Sequence, residues 1–161
     1  MMEPIEIVIT GKPVPKGRPQ AFRFGNGIKM RTPKKTANWE EDARMVARHV
    51  MKDRPPLIGP LSLSVRVVIA PAYSWAGWKK GATLSGEMKP TSKPDLDNVV
   101  KAAKDAMNGI LWIDDAQVVR LSAAKTFGSA PMVVVTATPE AGLDCNISSR
   151  AEYEQAKQRG E

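Results

Sequence analysis

Between Leu61 and Ala70 the chain reads Leu-Ser-Leu-Ser-Val-Arg-Val-Val-Ile-Ala. Apolar and polar residues alternate there at the period of a β-strand that turns one face to a core. A lone strand is not stable, so the rest of the chain must supply a sheet around it. Ile5 to Thr10 alternates in the same way, and Val118 to Lys125 and Pro131 to Ala137 are two more candidates, joined around Gly128-Ser129. Two other stretches carry helical spacing. Trp39, Ala43, Val46, Ala47 and Val50 mark a helix from about Asn38 to Lys52, with Asn38 and Glu41 as a capping pair and Pro55-Pro56 closing the unit. A second helix runs from about Asp97 to Met107 and stops at Asn108-Gly109. The fold expected is α/β (α+β): one domain over residues 1–141, with a mixed sheet flanked by two main helices. Its strand order is not readable. Residues 142–161 are expected to be a polar tail, either a frayed helix or disordered.

A chain of 161 residues can bury a proper core in one domain. Its single cysteine, Cys145, excludes an internal disulfide framework and a cysteine-based zinc cage. The single histidine, His49, falls near the end of the first helix, where imidazole suits the helix dipole, and reads as structural. No apolar run approaches the roughly 20 residues that span a bilayer. The start, Met-Met-Glu-Pro, lacks a basic stretch followed by an apolar one, so a cytoplasmic protein without membrane association is expected.

Charge is unevenly placed. The net charge is +7, and eight basic residues (Lys12, Lys16, Arg18, Arg23, Lys29, Arg31, Lys34 and Lys35) lie in a stretch with no acidic one. Removing those eight from the 24 leaves 16 basic residues against 17 acidic, so the whole excess sits in that stretch. A dense, uncompensated basic run favours a phosphate polymer as partner, because each neutralised phosphate releases condensed counterions. Three prolines and a glycine keep Pro13 to Pro19 out of any helix. The segment from Phe22 to Arg31 reads as a basic hairpin turning at Gly25-Asn26-Gly27. Residues 72–93 mix Trp75, Trp78, Lys79 and Lys80 in the manner of a nucleic-acid contact, or as tryptophans plugging the core edge.

Carboxylates concentrate elsewhere. Asp95 and Asp97 stand two apart at a strand-to-helix junction, and Asp114-Asp115 follow the apolar stretch Ile110 to Ile113, whose return would bring a third carboxylate to the same place. Clustered oxygen ligands call for a hard cation, Mg²⁺ or Mn²⁺. Asp97, Lys101 and Asp105 form one stripe at successive helical turns. On spacing alone each carboxylate has a plainer reading: an N-cap for Asp95 or Asp97, a turn for Asp114-Asp115, a surface ladder for the stripe.

The chain resembles the RusA-type Holliday junction resolvases, endodeoxyribonucleases that cut four-way DNA junctions. The likeness runs from Gly11 to about Ala137. It rests on Gly11-Lys12-Pro13-Val14-Pro15-Lys16-Gly17-Arg18-Pro19, Arg31-Thr32-Pro33-Lys34-Lys35-Thr36, Ser74-Trp75, and above all Thr91-Ser92-Lys93-Pro94-Asp95-Leu96-Asp97-Asn98-Val99-Val100-Lys101. It continues through Asp105-Ala106-Met107-Asn108-Gly109 and Asp114-Asp115-Ala116-Gln117-Val118. Gln20 departs from the pattern, standing where members often carry another basic residue. The resemblance implies that Asp95, Asp97 and Asp115 are catalytic metal ligands, with Asp114 weaker, and that Lys101 is a catalytic lysine. It also implies Mg²⁺ dependence with Mn²⁺ as substitute, a homodimer, branched DNA as substrate and paired symmetric nicks, and it hints at prophage origin. The eight basic residues, with Lys79 and Lys80, would then hold the DNA. Other readings are a non-catalytic branched-DNA-binding accessory protein and a general metal-dependent nuclease.

Overall fold

A computed structural model describes residues 3–142 and 149–159. The alternation at Leu61 becomes strand β4, Leu61–Ile69, and the first six-residue strand is β1, Ile5–Thr10. With β5 (Val118–Phe127) and β6 (Met132–Pro139) they form a four-stranded sheet in the order β1-β6-β4-β5. Pairing is antiparallel between β1 and β6 and between β6 and β4, and parallel between β4 and β5. The sheet is therefore mixed, as expected. The parallel pair needs a crossover, and helix α3 (Leu96–Met107) lies on it.

Register explains the alternation. Ile7, Val135, Val65 and Ala123 lie side by side across all four strands, and the first three are fully or almost fully buried. Helices α1 (Lys34–Met51) and α3 pack against one another, α1 next to β1 and α3 next to β4 and β5. Their small residues Ala43, Ala47, Ala102, Ala103 and Ala106 are fully buried, which lets the helices approach closely. The hairpin of β2 (Gln20–Phe24) and β3 (Gly27–Arg31) forms a separate, exposed two-stranded sheet. Helix α2 spans Gly77–Leu84 inside the tryptophan-bearing loop.

Helix α1 corrects one boundary. It begins at Lys34 after Pro33, not at about Asn38, so Asn38 and Glu41 cap nothing. Its first turn is held from outside instead. Thr36 Oγ1 donates to Pro15 O and accepts from Gly17 N, each at 3.2 Å. A Cβ on Gly17 would stand 2.7 Å from Pro33 Cγ, so only glycine allows this approach without displacement. In the tail, Arg150–Arg159 forms helix α4, while Cys145 lies outside the described residues. No helix among the described residues is long and apolar enough to cross a membrane.

Candidate active site

Helix α3 and the edge strand β5 enclose a groove of about 670 Å³. Its apolar walls are Leu96 and Val100 from the helix and Leu121 and Ala123 from the strand. Asp97, Lys101, Lys104, Asp105 and Asp115 supply its charge. Helical periodicity puts the first four on one face of α3, while the buried face carries Val99, Ala102, Ala103 and Ala106. Lys101 is exposed and makes no ion pair or hydrogen bond among the described residues, so its ammonium is available to a ligand.

Asp95 occupies the N-cap position of α3, yet its side chain makes no capping hydrogen bond. That leaves an exposed carboxylate next to the groove, outside its lining. Asp114 and Asp115 differ sharply. Asp114 Oδ1 accepts from Ala116 N at 2.8 Å and so caps the turn Asp115–Gln117, the plainer reading weighed above. Asp115 turns into the groove and pairs with Lys104 at 3.0 Å. Lys104 lies seven residues beyond Asp97, about 10.5 Å along the helix axis. Among the described residues no group of three or more His, Cys, Asp or Glu could hold a metal ion together. The groove therefore gathers Asp97, Asp105 and Asp115 along its length, with Lys104 as the ion-pair partner of Asp115.

The turn that carries Asp115 is fixed from two sides. After α3, Gly109 takes φ +73°, and fully buried Leu111 and Trp112 plug the chain back into the core. Gln117 then makes four side-chain hydrogen bonds. Its Oε1 accepts from Ile113 N at 2.8 Å and Asp114 N at 3.0 Å, and its Nε2 donates to Leu57 O and Gly59 O, both at 3.0 Å. The sequence does carry a signal for this residue, because Asp114 and Gln117 have capping-box spacing. At the other end of the groove, Lys125 Nζ donates to Ser92 O at 2.6 Å and Pro94 O at 2.9 Å. No local pattern announces that contact, which spans 31 residues for Pro94.

Among the cations expected to face DNA, Lys12, Arg18, Arg23, Lys29, Arg31, Lys34 and Lys35 are exposed. Lys16 is the correction. Its ammonium is 2.6 Å from Glu40 and 2.7 Å from Asp105, with side-chain exposures of 21%, 6% and 32% respectively, and so it is an internal counter-ion. Burial lowers the Lys16 pKa, but hydrogen bonds to Asp105 and Glu40 outweigh it and hold the value above that of an ordinary lysine. Lys79 sits over the Trp75 ring at 4.1 Å and Lys80 donates to Tyr73 O at 2.6 Å, so both are already engaged within their loop. On the hairpin, Phe22 and Phe24 share one face with Lys29 and Arg31, which stack on them at 3.9 Å (Lys29 on Phe24) and 5.4 Å (Arg31 on Phe22). His49 is exposed at the end of α1, outside the groove.

Residues 10–138 match the family described as Endodeoxyribonuclease RusA. The chain belongs to the RusA endodeoxyribonuclease family. The match covers every element from β2 to β5, together with all of the groove. The chain is also similar to the uncharacterized protein YqaN of Bacillus subtilis (strain 168), with 36% identity over 138 residues, 83% of this chain and 95% of that one. Membership in the RusA family makes this a nuclease domain whose substrate class is DNA.

Proposed function

We propose that this protein is a structure-selective endodeoxyribonuclease that resolves Holliday junctions. It would act as a homodimer, making symmetric nicks in a divalent-metal-dependent reaction. The observation that carries the reading is the RusA family match, which spans residues 10–138 and contains the whole α3–β5 groove. The donor set supports a metal of the Mg²⁺ class, with Mn²⁺ as substitute, because every ligand candidate is a carboxylate oxygen. Asp95 and Asp97, two residues apart at the head of α3, would hold it, and Asp115 would join them only on leaving Lys104, since the three are not gathered around one point as they stand. A cation held there supplies charge neutralisation at the phosphate and a lower pKa for bound water. The uncommitted ammonium of Lys101 stands against the charge that develops on the phosphate or orients the attacking water. Asp114, occupied as a cap, contributes shape rather than a ligand. Seven exposed cations of the Lys12–Lys35 stretch grip the junction arms, and paired incisions follow from two copies on a near-two-fold substrate.

The test is nicking of a synthetic four-way junction beside a linear duplex of the same sequence, with Mg²⁺ and with chelator. Junction cutting that needs Mg²⁺ and far exceeds duplex cutting is expected. Equal cutting of both substrates would make the protein a general nuclease. Tight junction binding without cutting would make it an accessory protein.

A further inference from the structure

Lys125 lies in the row Ile9–Val133–Val67–Lys125 of the sheet, the next row on the same face as Ile7, Val135, Val65 and Ala123. Its side chain therefore rises from the helix-covered face of the edge strand, beyond Leu121 and Ala123 of the groove wall. There its ammonium donates to the carbonyl oxygens of Ser92 and Pro94, at 2.6 and 2.9 Å. These two carbonyls flank Lys93, and the second is bonded directly to the nitrogen of Asp95. Because Asp95 makes no capping hydrogen bond, the helix's own N-cap does not hold this loop.

We propose that Lys125 is a positioning residue for Asp95 and Asp97. Anchored on β5, it clamps residues 92–94 and so sets where the two carboxylates stand at the head of the groove. The proposal rests on the reading of that groove as the cutting site. Lys125 forms no ion pair among the described residues, so it acts through the loop and not on the carboxylates. Hydrogen bonds from a charged donor are shorter and stronger than neutral ones, and one ammonium can serve both carbonyls at once. A site carried on a loop takes its precision from the rigid elements that brace it. A displacement of about 1 Å at reacting groups costs about 10²-fold in rate.

The experiment compares the full-length parent with Lys125→Met and Lys125→Arg. Hydrogen exchange of the amides at 92–98 is read against those of β1 and β6, and single-turnover nicking of a four-way junction is measured at saturating protein. For Lys125→Met the expected result is exchange faster by at least about tenfold at 92–98 with β1 and β6 unchanged. Nicking should be slower by about 10²-fold, with junction affinity within a few-fold of the parent. Arg keeps the positive charge and offers more than one N–H donor for the two carbonyls, so Lys125→Arg should recover a large part of both losses. Parent-like exchange at 92–98 in Lys125→Met overturns the clamp. Faster exchange throughout the sheet with no rescue by Arg reduces Lys125 to a general stabilising residue. Faster local exchange with an unchanged nicking rate overturns its positioning role. A parent that does not cut refutes the nuclease reading and with it any role in catalysis, while the exchange result still decides whether the clamp exists.

Discussion

Lys16→Met separates a structural lysine from a DNA-facing one. The substitution keeps the aliphatic stem and removes the ammonium that joins Glu40 of α1 to Asp105 of α3. Removing one partner of a fully buried pair costs roughly 3–5 kcal/mol. Here the Glu40 side chain is only 6% exposed, but Arg44 remains 3.7 Å away, and Asp105 at 32% exposure regains water. The expected loss is therefore about 2 kcal/mol, which for a chain of this size lowers Tm by about 4–8 °C. Because the folded pKa of Lys16 is raised, the ion-pair contribution is fully present below the ordinary lysine value of 10.5 and is lost as pH rises through the folded value. The gap in Tm between parent and variant should hold from neutral pH to about pH 10 and close above it. Thermal melting by circular dichroism provides one arm, and the salt dependence of junction affinity provides the other. An internal counter-ion leaves the salt slope unchanged, whereas a phosphate contact would reduce it by about 0.9. A variant with the parent's Tm and a reduced slope would refute the reasoning and return Lys16 to the DNA surface.

Other substitutions probe the groove and the basic surface. Lys101→Ala should slow single-turnover nicking by about 10²–10³-fold at saturating protein, with binding little changed; a rate within a few-fold of the parent would leave Lys101 an ordinary surface residue. Replacing Arg18, Lys29 and Arg31 together by alanine should weaken junction binding and flatten its salt slope by up to about three units of 0.9, measured on variants of equal Tm. Gln117→Ala should cost about 1–3 kcal/mol in denaturant titration, since water can replace it at the exposed amides but less readily at Leu57 O and Gly59 O. Stability equal to the parent would mean that the Asp114-Asp115 turn holds itself.

What the sequence reveals and what it hides divide along contact range. Period-two alternation identifies β1 and β4, and helical spacing identifies α3 to within one residue at its start, because those patterns are local. Spacing also brings Asp97, Lys101 and Asp105 onto one face, and the groove carries all three. The start of α1 is different: Lys34 and Lys35 read as the end of a basic run, and the hydroxyl that secures the first turn bonds to Pro15 and Gly17, about twenty residues away. Lys16 belongs by composition to the same basic run, and only the packing of α1 against α3 gives it Glu40 and Asp105 as partners. The ion pair between Lys104 and Asp115 and the reach of Lys125 to Ser92 and Pro94 likewise depend on the crossover from α3 to β5, which no local pattern encodes.

In the proposed reaction the carboxylates at the head of α3 perform metal-dependent cutting of branched DNA. This role is tested most directly by Asp97→Asn, compared with the parent on a four-way junction labelled separately on each strand, in Mg²⁺ and at saturating protein. Asparagine keeps the size of the side chain, so the fold should persist, as circular dichroism would show. Paired nicks at symmetry-related positions are expected with the parent, no nicks with the variant, and junction binding by the variant that equals or exceeds the parent's. Nicking by a folded Asp97→Asn at a rate near that of the parent would contradict that role.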